Sequence, residues 1–347
     1  TEGGTTNYGW TNTDDISGLE LSGNSDIGFT ATNTGTSPIT TTVVVTPTFE
    51  NGGNSNSGPT ESFTITVNPP AQVDSVNDIV VCNLDEIENI IFNSQNTGGT
   101  TTYEWTNDNI SISDNELAGS GSGDTITGFT ATNSSISAQT ASIQVTPTFT
   151  SDGNSSIGTP IEFTITVNPD ATVVQPDNFV FCNGDITEPI SFETLNTDGV
   201  VSFNWTNDNI STGLTETDGV GEIPVFNATN NSNEPVVSTF LVTPIYTNNG
   251  TSCPGESKEF TITVNPAAQV NEIENIEICD GEVTTPITFE TVNLGDQSIT
   301  SYSWVNDTPD VYGLGESGDY IIDTFVAINE GTTPITVSYT HLTLPTI

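Results

Sequence analysis

Cysteine is the residue type in this sequence that could do the most specific chemistry. A thiol can form a disulfide, bind a metal or act as a nucleophile. There are four: Cys82, Cys182, Cys253 and Cys279. They lie far apart in sequence and form no Cys-x-x-Cys pair, so the spacing of a zinc site is missing. A disulfide is the favoured interpretation, with free thiols as the alternative. Disulfides persist outside the cytosol, which agrees with a secreted protein.

Other catalytic chemistry has little support in the sequence. The only histidine is His341, in an atypical C-terminal stretch, so a Ser–His–Asp or Cys–His mechanism lacks its base. The only basic residue is Lys258, and no GxxxxGK[ST] phosphate loop contains it. With 45 acidic residues some carboxylate pair is always available, so such a pair carries no specificity. We predict no catalytic residue, no cofactor and no enzymatic activity.

The charge balance excludes whole classes of partner. The chain of 347 residues has 45 acidic residues against one basic residue, a formal net charge of −44. Such a surface repels phosphate and anionic lipid, which argues against nucleic-acid binding. No apolar run reaches the roughly 20 residues of a membrane helix, so direct membrane insertion is not expected. The hydrophobic content of 33%, arranged in strand-like patterns, argues against disorder.

The elements that must position these residues recur along the chain. The heptapeptide FTITVNP occurs three times, at 63–69, 163–169 and 260–266. An aromatic-x-Trp motif recurs in phase and ends at Trp10, Trp105, Trp205 and Trp304. A Phe-to-Asn motif recurs at 29–33, 129–133, 226–230 and 325–329, and Val-Thr-Pro recurs at 45–47, 145–147 and 242–244. A fixed long period of this kind is typical of a repeat array.

These landmarks predict four repeats. They cover residues 1–69, 70–169, 170–266 and 267–336, the first truncated at its N-terminus and the last at its C-terminus. In Phe163–Val167, apolar and Thr residues alternate as in a half-buried strand. Clusters such as Ser120–Asp124 and Thr247–Gly250 read as turns. The sequence predicts an all-β fold of tandem β-sandwiches, each repeat about 98 residues long, with the Trp in the core and the repeats forming a rod.

The repeat phase suggests a pairing for the cysteines. Cys82, Cys182 and Cys279 share one position near the start of a repeat, whereas Cys253 lies late in the third repeat. Only the third repeat contains both positions. We therefore predict a structural disulfide between Cys182 and Cys253, closing a loop of about 70 residues.

The combined motifs resemble a known family. Residues 103–107 (YEWTN), 129–133 (FTATN), Val145–Pro147 and Phe163–Pro169 are similar to the PKD-like repeat of Bacteroidota surface proteins, and the likeness runs from residue 1 to about 336. The resemblance implies an Ig-like β-sandwich in a very large secreted protein. Such proteins often end in a gliding-motility or type IX sorting domain, which does not occur in these residues. It therefore implies a cell-surface location and a type IX-like secretion route.

Two features have simpler interpretations. Residues 337–347, which include His341, break the repeat pattern, and VSYTHL looks like a translated transposase sequencing adapter. We interpret this stretch as an artefact. The Thr-Asn-Asp-Asn runs at 106–109 and 206–209 offer oxygens suited to calcium, but there is no DxDxDG loop, so ordinary turns are favoured and structural calcium is the alternative.

Two hypotheses for function follow. The first is a non-catalytic extracellular stalk that presents a distal or terminal domain of a large bacterial surface protein. The alternative is an adhesin module that binds polysaccharide or another cell surface. An adhesin for sugars should expose aromatic side chains for stacking, whereas every aromatic-x-Trp motif falls in a predicted strand, which slightly favours the stalk.

Overall fold

A computed structural model describes residues 3–13, 18–24, 26–114, 116–294, 300–306, 313–336 and 339–345, the last range as backbone only. The chain divides into two compact units. Unit 1 contains residues 1–170, 196–200 and 247–253, and unit 2 contains the remainder. Unit 1 thus holds the first two repeats and two short segments of the third.

The first repeat forms one antiparallel sheet. Its order is β2-β1-β3-β4, with β5 also pairing with β3. The strands are β1 (Thr5–Asn12), β2 (Ser22–Gly23), β3 (Ile39–Asn51), β4 (Asn54–Ser57) and β5 (Glu61–Val67). Strand β3 is long enough to pair with β5 through its first half and with β4 through its second half.

The second repeat shows the full pattern. Its strands are β6 (Ile79–Cys82), β7 (Glu86–Ile87), β8 (Ile90–Ile91), β9 (Thr100–Asn107), β10 (Ser120–Ser122), β11 (Thr125–Ile126), β12 (Phe129–Thr130), β13 (Gln139–Ser151), β14 (Asn154–Ile157) and β15 (Ile161–Asn168). A short 3-10 helix, Ile110–Ser113, follows β9. The main sheet has the order β10-β9-β13-β15-β6, with β14 on β13. Strand β6 runs parallel to β15, and the other pairs are antiparallel.

Two small ladders cover the main sheet and close the sandwich. Strand β8 pairs with β11, and β7 pairs with β12. Their apolar side chains, including Ile90, Ile126 and Phe129, belong to one core with Trp105 and Phe163 of the main sheet. The alternation within FTITVNP therefore has its expected cause, because one face of β15 lies against this core.

A tryptophan packs on a glycine in every repeat. In the second repeat Gly121 of β10 lies opposite Trp105 of β9. A Cβ at Gly121 would come 2.3 Å from Cζ2 of the Trp105 ring. The corresponding glycine–tryptophan pairs are Gly23–Trp10, Gly219–Trp205 and Gly318–Trp304. The predicted turn at Ser120–Asp124 is thus wrong for its first three residues, since the glycine makes room for a ring rather than for a turn.

Unit 2 contains most of the third repeat. The third repeat's strands are β16 (Phe179–Cys182), β17 (Val200–Asn207), β18 (Asp218–Val220), β19 (Val236–Asn248), β20 (Thr251–Pro254) and β21 (Lys258–Asn265), with a 3-10 helix at Ile210–Thr212. The sheet order is β16-β21-β19-β17-β18, with β20 on β19. Thr247–Asn248 end β19, so the predicted turn at Thr247–Gly250 is confined to Asn249 and Gly250.

The fourth repeat completes unit 2. Its strands are β22 (Ile287–Thr288), β23 (Thr300–Asn306), β24 (Ser317–Asp319) and β25 (Ile321–Ile322), and β26 (Tyr339–Pro345) follows the repeat. The backbone of β26 pairs with β23 and places His341 opposite Trp304. This strand lies in the stretch interpreted as an artefact, whose side chains and residues 337, 338, 346 and 347 are outside the described residues. That interpretation stays a prediction, as do the repeat boundaries.

The structure confirms the all-β fold of tandem Ig-like sandwiches and the buried tryptophans. Trp10, Trp105, Trp205 and Trp304 are all buried. Tyr8 differs, with 59% of its surface exposed. Its counterpart Tyr103 packs against Phe92, with ring centroids 5.6 Å apart. In the described part of the chain, no helix has the length and apolar character needed to span a membrane.

Candidate functional site: the joint between repeats

The cysteines join two repeats rather than the two ends of one. Cys253 forms its disulfide with Cys82, with the two Cα atoms 5.5 Å apart, and Cys182 is a free thiol. The predicted pairing of Cys182 with Cys253 is therefore wrong. Both bridged residues belong to unit 1, although Cys82 comes from the second repeat and Cys253 from the third.

Strand register explains the error. In the second repeat Cys82 lies opposite Asn168, beside the start of β13, where Gln139 pairs with Val167. Ser156 occupies the position of Cys253 and lies opposite Phe149, ten residues further along β13. At a rise of about 3.3 Å per residue, the two positions are about 30 Å apart in one sandwich. A disulfide needs Cα atoms within about 7 Å, so the two positions cannot be bridged within a repeat.

The bridge is one part of a recurrent contact, here called the hairpin contact. It joins the Asn that ends FTITVN to the β-hairpin tip of the following repeat. The Nδ2 atom of Asn68 donates to the carbonyl of Asn154 at 3.1 Å. At the next joint, Asn248 Nδ2 donates to Oδ1 of the buried Asn168 at 2.9 Å. Thr251 Oγ1 also donates to the carbonyl of Val80 at 3.3 Å, which brings the third repeat's hairpin against β6.

The hairpin tips have the turn geometry that tight two-residue loops require. Asp152 and Gly153 have φ values of 49° and 76°, and Asn249 and Gly250 have 48° and 81°. Two consecutive residues of positive φ make a type I′ turn, whose twist matches the flanking strands. Each tip is thus a rigid element that can hold Asn154 or Cys253 in place against the preceding repeat.

A second recurrent contact, here called the loop contact, involves an asparagine that sequence reasoning missed. Asn96 Oδ1 accepts from the backbone N–H of Gln72 at 2.7 Å, and its Nδ2 donates to the carbonyls of Pro70 at 3.1 Å and Thr36 at 3.4 Å. The backbone N–H of Thr97 donates to the same Thr36 carbonyl at 2.8 Å. One side chain therefore fastens the linker between repeats and reaches the loop of the preceding repeat.

The loop contact recurs at every joint. Asn196 Nδ2 donates to the carbonyls of Ile136 at 3.2 Å and Asp170 at 3.1 Å. In unit 2, Asn293 Nδ2 donates to the carbonyl of Ala267 at 3.0 Å, and the Leu294 N–H donates to a carbonyl in the preceding repeat. The signal was present in the sequence as Phe-x-x-x-Asn, with its Asn at 96, 196 and 293, in phase with FTITVNP.

The two free thiols keep the local setting of Cys82. The backbone N–H of Cys82 donates to the Asp85 carboxylate at 2.8 Å, and that of Cys182 donates to Asp185 at 2.7 Å. Burial, reinforced by the negative charge of Asp185, raises the pKa of the Cys182 thiol. Cys182 is therefore protonated at neutral pH and is a poor nucleophile there. Cys279 is exposed.

The turns considered for calcium use their oxygens inside the protein. Asp108 Oδ1 accepts from the backbone N–H of Ser142 at 2.7 Å, and Asn109 Oδ1 accepts from the N–H of Ser111 at 3.1 Å. Asp208 accepts likewise from Thr239 at 2.6 Å. These turns tie the end of β9 or β17 to the neighbouring long strand. Within the described ranges, no three His, Cys, Asp or Glu side chains form a group suited to hold a metal ion.

Comparisons with known proteins give distant likenesses to solved structures. No protein-family model matches the chain, and no curated protein matches it. The chain is similar to protocadherin gamma B7 EC3-6, with 11% identity, 99% of this chain and 95% of that chain covered, and a TM-score of 0.32. The immunoglobulin domains 1-5 of Sidekick-1 give 12% identity, coverage of 98% and 72%, and a TM-score of 0.24.

A bacterial structure also matches. The fibronectin(III)-like modules of Clostridium thermocellum CbhA give 14% identity, coverage of 60% of this chain and 100% of that chain, and a TM-score of 0.25. Likenesses at this level carry no argument about the role of this chain.

Proposed function

We propose that these repeats form a non-catalytic extracellular stalk of a large bacterial surface protein, built from PKD-like repeats and presenting a distal or terminal domain. The observation that carries the proposal is the recurrence of the joint. Asparagines at the same phase make the loop contact at each of the three joints, and the hairpin contact occurs at the two joints in unit 1. A chain that fixes each repeat to the next is suited to hold something at a set distance.

The fate of the aromatic motif supports the stalk over the adhesin alternative. Sugar-binding surfaces commonly use exposed aromatic rings, because apolar sugar faces stack on them. The Trp of each aromatic-x-Trp motif is buried against a glycine backbone instead, as with Trp205 on Gly219. Tyr8 is the exception that is mainly exposed. The Trp of this motif, which occurs four times along the chain, thus belongs to the core.

A binding measurement tests the proposal. The whole chain is immobilised and exposed to bacterial surface polysaccharides, with calcium and with a chelator. We expect no saturable binding in either condition. Saturable binding to a polysaccharide would replace the stalk with the adhesin alternative. If that binding is lost in a Tyr8→Ala variant, the exposed ring is the contact.

A further inference from the structure

We propose that the Cys82–Cys253 disulfide is a tension bypass, which carries a pulling force from the second repeat directly into the third. This inference rests on the proposed stalk function, because a stalk on a cell surface is pulled at its ends. The bond joins residues 171 positions apart in sequence. Everything between them is a covalently closed loop.

The path of the force follows from connectivity. A force on the N-terminal side enters the second repeat along the linker and β6, and it reaches Cys82 at the end of that strand. The disulfide passes it to Cys253 in β20, from which the chain continues into β21. The long strands β9, β13 and β15 of the second repeat lie within the loop, as does β17 of the third. They are not in series with the applied force, so the β9–β13 and β13–β15 ladders are not sheared. The ladders that border the loaded path, including β6–β15 and β19–β21, are exposed to the force.

Non-covalent contacts hold the bridge ends in register. Thr251 Oγ1 donates to the carbonyl of Val80, two residues from Cys82, and Asn248 bonds the buried Asn168, which lies opposite Cys82 in the sheet. These hydrogen bonds hold the hairpin tip against β6 independently of the disulfide. The bridge converts this weak contact between repeats into one that only bond cleavage can open.

The bypass has a measurable length. An extended chain spans at most about 3.3–3.6 Å per residue, so a loop of 171 residues withholds about 560–620 Å of extension. A bridge between Cys182 and Cys253 would withhold only about 230–260 Å, because it closes a loop of about 70 residues. The two pairings thus predict extensions that differ by more than a factor of two.

Single-molecule force spectroscopy on the full chain, held by peptide tags at both termini and without reductant, tests the bypass. The bridge variant is Cys82→Ala/Cys253→Ala, and the matched control is Cys182→Ala/Cys279→Ala, which removes the two free thiols. We expect the wild type and the control to reach the same final length. The bridge variant should extend about 560–620 Å further.

A second measurement protects against a variant that misfolds. Wild-type protein is pulled after treatment with a water-soluble phosphine. The phosphine gives two electrons to the disulfide and becomes a phosphine oxide with the oxygen of one water, whose two protons complete the two thiols. The same gain in length is expected.

Two results would overturn the bypass. Equal lengths for untreated wild type, bridge variant and reduced protein would show that the thiols are unpaired and that no bridge carries force. A gain of only about 230–260 Å in the bridge variant, with the same gain in the Cys182→Ala/Cys279→Ala variant, would assign the bond to Cys182. Neither of these results bears on polysaccharide binding, so the bypass and the stalk can fail separately.

Discussion

The contact between tryptophan and glycine predicts a sharp effect from adding a single methyl group. In Gly121→Ala, the new Cβ would lie 2.3 Å from the ring of Trp105, which is only 8% exposed and cannot swing into solvent. Overpacking of a core costs about 1–3 kcal/mol. Replacing Gly by Ala also restricts the unfolded chain and returns about 0.4–1 kcal/mol. We expect a net destabilisation of the second repeat of about 1–2 kcal/mol.

Hydrogen exchange followed by mass spectrometry can locate that loss, because it reports the stability of each repeat separately. Under conditions where opening equilibrates before exchange, protection in β9 and β13 should fall about 5- to 30-fold. Gly119→Ala is the matched control in the same repeat. Its Cβ would meet nothing closer than Ile110 Cγ2 at 3.7 Å, an ordinary contact. Its protection should be unchanged or slightly raised.

The difference in protection between Gly121→Ala and Gly119→Ala tests whether the Trp105 ring packs on Gly121. If Gly121→Ala and Gly119→Ala give equal protection, the ring does not rest on that glycine and the packing argument is refuted. Gly219→Ala extends the test to the third repeat, where the Cβ would again lie 2.3 Å from the ring of Trp205. Its loss of protection should be confined to that repeat.

Three further predictions concern the joints and the titrating groups. Asn96→Ala removes the donor to the exposed carbonyl of Pro70, where water can replace it, so exchange in the linker should speed up by the equivalent of about 0.5–1.5 kcal/mol, measured by the same method. The hydrogen bond from the backbone N–H of Thr164 lowers the pKa of Asp78 in the folded protein below its ordinary value of 3.8. The ionised carboxylate therefore stabilises the fold at pH values above 3.8, and this stabilisation is lost as the pH falls through the lower pKa of the folded state. Asp78→Asn keeps an acceptor and should remove this acid dependence, seen in an NMR titration of the Thr164 amide. Burial raises the pKa of Cys182 above the ordinary 9.0, so iodoacetamide should label it without reductant but slowly until the pH exceeds 9, as peptide mapping would show.

The periodic part of the fold could be predicted because it depends on local patterns. Alternation in Phe163–Val167 reflects one buried face, and the repeated Trp marks a core strand. Individual hydrogen bonds also recur between the second and third repeats. Asn178 there accepts from the N–H of Thr261 at 2.8 Å, just as Asp78 accepts from Thr164 at 2.7 Å. A repeated position can therefore keep its bond while changing its charge.

The disulfide could not be predicted because its partners are set by three-dimensional position, not by phase. Alignment of the repeats shows which cysteines correspond, but it does not show that the early and late positions lie at opposite ends of a sandwich. That knowledge requires the register of β13 with β14 and β15. The turn prediction at Gly121 was wrong for a related reason. This glycine leaves room for the Trp105 ring of the neighbouring strand, and no local sequence pattern indicates that contact.

The joint also bears on how such a protein can evolve. Each loop contact ends on backbone carbonyls, those of Thr36 in one repeat and Ile136 in the next, so the side chains of the accepting loop are free to drift. The asparagine that makes this contact stands at the same phase at each of the three joints, so the loop contact does not depend on which repeat precedes which. Unequal recombination within FTITVNP can therefore lengthen or shorten the array without creating a mismatched neighbour. The bridge restricts this freedom. Cys82 and Cys253 must stay in consecutive repeats, so the disulfide fixes the order of these two repeats in the array.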